Sequence, residues 1–153
     1  MVRLADIPEP ERTVIADLEC PAYEDTAPVL PVNAAERHVA LVSTAGFILR
    51  GERPMLANEA GYREIPASAA DGDILCSHVS TNFDRSGFQQ DLNVMLPRDR
   101  LRELEQQGEI GKAAEVHYAF MGATTPTRME DKAREAGRSM LALGVNTVVL
   151  APV

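Results

Sequence analysis

The chain has 153 residues and a mass of 16.6 kDa, which suits one domain with enough residues to bury a hydrophobic core. Hydrophobic residues make up 45% and charged residues 25% of the sequence, so disorder over the whole length is excluded. There are 15 basic and 23 acidic residues, and the net charge of -8 leaves no basic face for nucleic acid or anionic lipid.

The two cysteines, Cys20 and Cys76, are in no metal-binding spacing and are too few for a disulfide framework. We therefore predict no metal site and a reducing compartment. The first residues carry charge where a signal peptide requires an apolar run, and no segment approaches the length of a membrane span. The predicted location is the cytoplasm, with no partner membrane.

Residues 1–36 form a predicted N-terminal arm, because five of the ten prolines of the chain occur there among acidic residues. A short helix is expected near residues 11–18. Such an arm packs over the domain or mediates contacts between two copies, or it is a loosely ordered terminus. Residues 37–153 form the predicted folded domain.

Apolar runs predict strands at residues 39–42, 62–65 and 73–78, and the first run is typical of an interior strand of a parallel sheet. A helix is predicted at 99–107, with Leu101 and Leu104 on its buried side and Gly108 as its C-cap. Another strand is expected at 116–120.

The last helix begins at Thr125-Pro126, and Thr127 with Glu130 matches a capping box. Its apolar residues recur at helical spacing as far as Gly144, and they are Met129, Ala133, Ala136, Met140 and Leu143. A final apolar strand is predicted at 145–150. This order of elements predicts a single α/β domain with a mostly parallel sheet flanked by helices. Because no helix follows the last strand, we expect the domain to be C-terminally incomplete; the alternative is an edge strand that closes the sheet.

Two segments offer polar groups at the ends of predicted strands. Residues 43–46 (Ser-Thr-Ala-Gly) can bring backbone amides to an anion, although ordinary strand-to-loop chemistry explains them as well. His78 is a titratable group at a predicted strand end, where ligands bind in open α/β sheets. Cys76 is either a nucleophile beside His78 or a buried structural thiol.

A third polar group occupies the irregular stretch between the strands and the helices. It contains Asp84, Arg85, Asp91 and Asn93. These side chains line a pocket or act as turn and cap residues, and the second interpretation is favoured for Asp91 and Asn93. His117 falls in a predicted strand, where packing is the expected role.

Several segments in order along the chain resemble the glycine/sarcosine/betaine and D-proline reductase selenoprotein B family. The resemblance covers nearly the whole chain, and its blocks are residues 2–8, 39–46, 62–66, 77–78 with 83–85, 91–101 and 117–122. Together these blocks are specific, whereas each alone is weak.

The resemblance implies an oxidoreductase that cleaves a small substrate reductively, with a dithiol or a thioredoxin-type protein as electron donor and no further cofactor. In the family, a selenocysteine or cysteine followed two residues later by cysteine is expected just after a strand that resembles residues 144–153. The chain stops there, and selenocysteine is encoded by UGA, so we expect truncation at that codon.

By this resemblance, the chain contains part of the substrate pocket but not the selenocysteine or cysteine motif. We predict Ser43, Thr44 and Gly46 as substrate-binding residues, and His78 and Asp84 as catalytic residues. His78 would hold a donor or proton near the selenol, and Asp84 would orient it or bind an amine. A homo-oligomer is compatible with this prediction. Two rivals remain: a non-catalytic small-molecule-binding or subunit-assembly module, and a hydrolase or isomerase that uses Cys76 with His78.

Overall fold

A computed structural model describes residues 3–17, 21–22, 29–80 and 85–153. Within these ranges the strands are β1 (His38–Ser43), β2 (Phe47–Leu49), β3 (Tyr62–Pro66), β4 (Ile74–Cys76), β5 (Lys112–Ala113), β6 (Val116–Phe120) and β7 (Thr147–Ala151). The helices are α1 (Glu11–Ala16), α2 (Ser86–Gln90), α3 (Arg98–Gln106) and α4 (Pro126–Ala142). The prediction of a single α/β domain is confirmed.

Strand β1 is the centre of the main sheet. It pairs in parallel with β5 and β6 on one side and with β7 on the other. Strand β3 extends the sheet beyond β6 and runs antiparallel to it. The sheet is therefore mixed but mostly parallel, as predicted, and its interior strand is the most apolar run of the sequence.

Alternate residues of β1 pack against two separate layers. Val39 and Leu41 belong to a core shared with β2, β4 and the start of α3, whereas Ala40 belongs to a core under α4. This alternation follows from strand geometry, because successive side chains point to opposite faces. Both faces of β1 are consequently covered.

Helix α4 crosses from the end of β6 to the start of β7 and covers one face of the sheet. Ala136 and Met140 are buried against it, but Ala133 and Leu143 are exposed, so the predicted apolar face is narrower than its spacing suggests. The predicted capping box is wrong: Thr125 is the N-cap, with Pro126 in the first turn. Gly144 ends the helix with φ of +80°, as predicted.

Strand β4 departs from the prediction for residues 73–78. It ends at Cys76, and it pairs antiparallel with β2 in a separate two-stranded sheet. The short β2 follows the turn at Gly46 and is absent from the predicted elements. His78 therefore does not stand at the end of a strand of the parallel sheet; it lies in the irregular segment after β4.

The N-terminal helix α1 is confirmed over residues 11–16, and its hydrogen bonds join it to neighbouring residues of the same segment. The division into an arm and a domain stays a prediction. In the part of the chain that the structure describes, no helix has the length and apolar character needed to cross a bilayer.

Candidate functional site

The loops that follow β1 and β6 meet at one edge of the sheet. The Gly46 amide donates to the Phe120 carbonyl at 2.9 Å, and the Gly122 amide donates to the Thr44 carbonyl at 2.9 Å. This edge contains the carboxyl ends of the parallel strands, where open α/β sheets bind their ligands. The two reciprocal hydrogen bonds fix the relative positions of the two loops.

Thr44 also holds the backbone beyond β7. Its amide donates to the Ala151 carbonyl at 3.2 Å, and its hydroxyl accepts from the Val153 amide at 2.8 Å. The same hydroxyl lies 3.3 Å from the Val153 carbonyl. A Cβ atom on Gly122 would stand 2.8 Å from the Thr44 carbonyl oxygen, so the loop after β6 requires glycine for this close approach.

Ser43, a predicted substrate-binding residue, is completely buried. Its hydroxyl accepts a hydrogen bond from the Ala45 amide at 3.2 Å, so the side chain stabilises the turn that follows β1. The structure thus places Ser43 beneath the loop surface, while Thr44 and Gly46 form the loop itself.

Gly46 and His78 are brought into contact, although 32 positions separate them in the sequence. The Ser77 amide donates to the Gly46 carbonyl at 3.0 Å. Gly46 has φ of +66°, and a Cβ atom there would lie 3.2 Å from the His78 backbone nitrogen. This contact joins the segment after β4 to the carboxyl edge of the parallel strands.

The His78 imidazole is held in one orientation. It is buried, and its Nδ1 atom accepts a hydrogen bond from the Ser80 amide at 3.1 Å. Arg85 fixes the same segment, because its Nη2 atom donates to the His78 carbonyl at 2.5 Å. Burial, and to a smaller extent the Arg85 guanidinium, lowers the pKa of His78, which keeps the ring neutral near pH 7.

The second predicted catalytic residue, Asp84, lies outside the described residues. Its neighbour Arg85 is described and contacts the backbone carbonyls of His78 and Ser80, at 2.5 Å and 3.3 Å. Ser80 and Arg85, the described residues on either side of this stretch, both contact His78. The pairing of Asp84 with His78 stays a prediction.

A loop between β2 and β3 covers this edge, and sequence patterns did not indicate it. The Met55 amide donates to the Ser77 hydroxyl at 2.9 Å, and the Met55 side chain packs with Met121. The loop has no periodic pattern, so Met55 carried no signal that sequence analysis would detect.

Glu59 stabilises the covering loop by several hydrogen bonds. Its carboxylate accepts from the Leu56 amide and from the guanidinium groups of Arg53 and Arg63, at distances of 2.8–3.1 Å. Burial raises the pKa of Glu59, but these hydrogen bonds together lower it to about 2. The Thr124 hydroxyl donates to the Glu59 carbonyl at 2.9 Å, which anchors the loop to the segment after β6.

Cys76 is not oriented toward a histidine. Its thiol donates to the Ala45 carbonyl at 3.3 Å and packs against the core under β2 and β4. The His78 Nδ1 atom is already bonded to the Ser80 amide. Because β4 ends at Cys76, the alternation of side chains along a strand does not extend to His78 and does not place the two side chains on the same side. This arrangement is that of a structural thiol.

An open cleft of about 460 Å³ lies between β4 and α2, and Cys76 is one of the residues that line it. Asn93 lines it and bonds to both Asp91 and Asp99, at 2.9 Å and 3.0 Å, and its carbonyl oxygen accepts from the Asp99 amide. Asp91 also accepts from the Asn93 amide at the start of a short turn. These contacts are the cap interactions favoured for Asp91 and Asn93. Among the described residues, no group of three metal-ligating side chains is present.

Comparison with known proteins gives a consistent set of relatives. Residues 10–153 match the family model of glycine/sarcosine/betaine reductase selenoprotein B. The D-proline reductase subunit gamma of Acetoanaerobium sticklandii is 30% identical in an alignment of 146 residues that covers 90% of this chain and 60% of that protein.

Two further relatives come from other complexes. The glycine reductase complex component B subunit gamma of Carboxydothermus hydrogenoformans is 27% identical over 140 residues, covering 88% of this chain and 32% of that protein. The betaine reductase complex component B subunit beta of Peptoclostridium acidaminophilum is 33% identical over 73 residues, covering 47% of this chain and 17% of that protein. The chain thus spans less than two thirds of these relatives. No solved structure matches it.

Proposed function

Because this chain belongs to the glycine/sarcosine/betaine reductase selenoprotein B family, we propose that it forms the substrate-binding scaffold of a reductase-complex component. The supporting observation is the pair of hydrogen bonds that the Thr44 hydroxyl makes with the Val153 amide and carbonyl. Through this contact, the loops after β1 and β6 and the backbone beyond β7 meet at one edge of the sheet. His78 reaches the same edge through its contact with Gly46.

The proposed substrate is a small amino acid or a betaine, in keeping with the relatives' names. Thr44 and Gly46 would form a wall of the substrate site. Their amides already donate to the Ala151 and Phe120 carbonyls, so these amides stabilise the loops and do not bind the carboxylate. The neutral His78 imidazole would hold a hydrogen-bond donor or carry a proton. Asp84 would bind the amine or orient His78.

The proposed reaction is a reductive cleavage. The bond between carbon and the leaving group breaks, and the carbon and the leaving group each take up one proton. The two electrons and the two protons come from a dithiol that becomes a disulfide. A thioredoxin-type protein would regenerate the dithiol. By the family resemblance, the reactive selenocysteine or cysteine belongs to sequence after Val153, and Thr44 would position that sequence beside the substrate. The Cys76 thiol, which is partly buried and donates to the Ala45 carbonyl, takes no part in the proposed reaction.

Titration followed by NMR tests the substrate-binding role. Glycine, sarcosine, betaine and D-proline are added separately to the labelled 153-residue chain. We expect one of them to shift the amide signals of Thr44, Gly46 and Gly122 and the ring signals of His78. The Gly108 amide, at the end of α3 and away from this edge, is expected not to move.

A matched pair of histidine variants sharpens the test. His78→Gln is expected to weaken binding at least about tenfold, because a ligand hydrogen bond is worth about 1.4 kcal/mol or more. His38→Gln is the control, since His38 begins β1 at the opposite end of the strand. The proposal fails if none of the four compounds shifts these signals, or if the two variants weaken binding equally.

A further inference from the structure

The residues that a substrate must reach in the proposed function are covered. Gly46 and His78 are both buried, and the Nε2 atom of His78 is buried with the ring. A substrate therefore reaches the imidazole only if part of the covering structure moves. This inference rests on the proposed function, because it concerns the route by which a substrate arrives at His78.

The covering loop, residues 51–61, is packed against the site by one side chain. The structure describes every residue of this loop, and none of them lies in a helix or strand. Met55 is 2% exposed and is the only buried residue among them, whereas the next residue, Leu56, is 61% exposed. Met55 packs with Met121, whose methyl carbon would lie 3.2 Å from a Cβ atom on Gly46. Met55 therefore holds the loop over the site through Met121.

Two hydrogen bonds join the covering loop to distant segments of the described chain. The Met55 amide donates to the Ser77 hydroxyl, and the Thr124 hydroxyl donates to the Glu59 carbonyl, both at 2.9 Å. Ser77 directly precedes His78, and Thr124 lies in the loop that follows β6. Both attachments thus end on segments that form the site, so release of the loop would uncover it.

The two ends of the covering loop are glycines with room to rotate. Gly51 has φ of +93°, and an added Cβ atom there meets no described atom within 4 Å; at Gly61 the nearest atom is a Glu59 carboxylate oxygen at 3.9 Å. Between these ends, the Glu59 carboxylate bonds to Arg53, so the middle of the loop forms one rigid piece. It also bonds to Arg63 just beyond Gly61, and this long side chain can follow the loop. Hinges at both ends of a rigid segment are typical of lids that close over active sites.

We propose that residues 51–61 are a lid, closed in this structure, which turns about Gly51 and Gly61 to admit a substrate to His78. Opening withdraws Met55 from its contacts and breaks the two hydrogen bonds, but it disrupts no strand or helix. Because so few interactions are lost, the open state is a minor population that the folded protein reaches by local motion. After the substrate binds, the closed lid excludes water from the reaction.

Acylation of the histidines by diethyl pyrocarbonate, followed by mass spectrometry in the absence of substrate, measures the opening. The reagent acylates accessible neutral imidazoles, so its rate at His78 follows the open population. Met55→Ala should raise this rate at least about tenfold, and Thr124→Val, which removes one hydrogen bond, about three- to fivefold. Leu56→Ala is the matched control, because the Leu56 side chain is exposed and should leave the rate unchanged.

His117 distinguishes lid opening from global unfolding within the same molecule. It is buried in β6, so the reagent reaches it only when the sheet unfolds. In both lid variants the rate at His117 should stay that of the unaltered chain. The proposal is overturned if Met55→Ala and Thr124→Val accelerate His78 no more than Leu56→Ala does, or if they accelerate His117 as much as His78.

A substrate measurement separates the lid from the proposed function. A compound that binds in the NMR titration should associate with Met55→Ala faster by the factor found for acylation of His78, because association requires the open state. Acylation that follows the lid while no compound binds would leave the lid in place and refute the substrate role. A compound whose association rate is unchanged in Met55→Ala would refute the lid and leave the substrate role in place.

Discussion

Gly46 and His78 approach so closely that a Cβ atom on Gly46 would lie 3.2 Å from both the backbone nitrogen and the Cα atom of His78. Gly46 also has a positive φ of 66°, which other residues adopt at a cost of about 1–2 kcal/mol. Two independent constraints therefore act on this one residue. They join the loop after β1 to the segment that carries the candidate imidazole.

Gly46→Ala is predicted to lower the free energy of unfolding by at least about 2 kcal/mol, since it adds both strain and a backbone clash. Gly108→Ala is the control, because Gly108 has a similar φ of +73° but nothing within 4 Å of the added Cβ. Urea unfolding of both variants measures the difference. Equal losses would show that the contact with His78 imposes no constraint.

The hydroxyl of Thr44 is predicted to stabilise the backbone beyond β7. Thr44→Val keeps the shape but removes the hydrogen bonds with Val153, so the Val153 amide should exchange with solvent faster and stability should fall by about 1 kcal/mol. Thr44→Ser retains the hydroxyl and should restore the protection of this amide. Unchanged exchange in Thr44→Val would contradict the role assigned to the hydroxyl.

His117 makes stability depend on pH. It is buried in β6, where it accepts from the Leu41 amide at 3.2 Å; burial, with smaller contributions from Arg98 and Arg102, lowers the pKa of His117 to about 4. The unfolded chain, with a pKa near 6.5, binds more protons between these values. Stability is therefore complete above about pH 6.5 and falls as the pH drops toward 4, by a total on the order of 3 kcal/mol.

Urea unfolding between about pH 5 and pH 7 isolates this effect, because most carboxylates stay ionised there. His117→Asn retains a hydrogen-bond acceptor and should show a much flatter dependence of stability on pH. His78→Asn should keep most of the slope, because His78 is less deeply buried than His117 and burial therefore lowers the pKa of its ring less. A slope that survives in His117→Asn would contradict the assignment.

Arg98 is predicted to be essential for stability. The guanidinium is buried, and its Nη1 atom lies 3.0–3.4 Å from the carbonyls of Pro66, Ala67 and Ala69. Asp71 pairs with its Nη2 atom. Arg98→Met removes these bonds and should lower the free energy of unfolding by at least about 3 kcal/mol.

Arg102 provides the comparison for Arg98, since it pairs with Asp99 at the surface. Arg102→Met should change stability by less than about 1 kcal/mol, as expected for an exposed ion pair. Thermal or urea unfolding of both variants checks the ranking. If Arg102→Met were the more damaging change, the structural role of Arg98 would be wrong.

Much of the fold follows from local patterns. The apolar run of β1 predicted an interior parallel strand, and Gly144 predicted the end of α4, because each feature acts within a few residues. The pairing of β2 with β4 was not predictable. Gly46 precedes the three-residue β2, and 24 residues separate β2 from β4, so no turn motif indicates that they meet.

Only part of the candidate site could be predicted, because local patterns indicate some of its residues and tertiary contacts determine the others. Thr44 and Gly46 follow an apolar strand, and their position at its carboxyl end could be inferred from the sequence. The contact of Gly46 with His78 depends on the β2–β4 pairing, and the covering loop depends on the bonds of Glu59, both of which are tertiary. The burial of Arg98 could not be predicted from the sequence, because a cation at a helix start is normally exposed. Only the carbonyls around its guanidinium explain this burial.

The most direct test of the proposed reductase role is the nucleotide sequence after the Val153 codon, determined together with the mass of the native protein. The proposal predicts, in the same frame after the Val153 codon, a selenocysteine (UGA) or cysteine codon followed two residues later by a cysteine codon, and a native mass above 16.6 kDa. A native mass near 16.6 kDa with no such pair of codons would contradict the redox role. It would instead favour a non-catalytic module for small-molecule binding or subunit assembly.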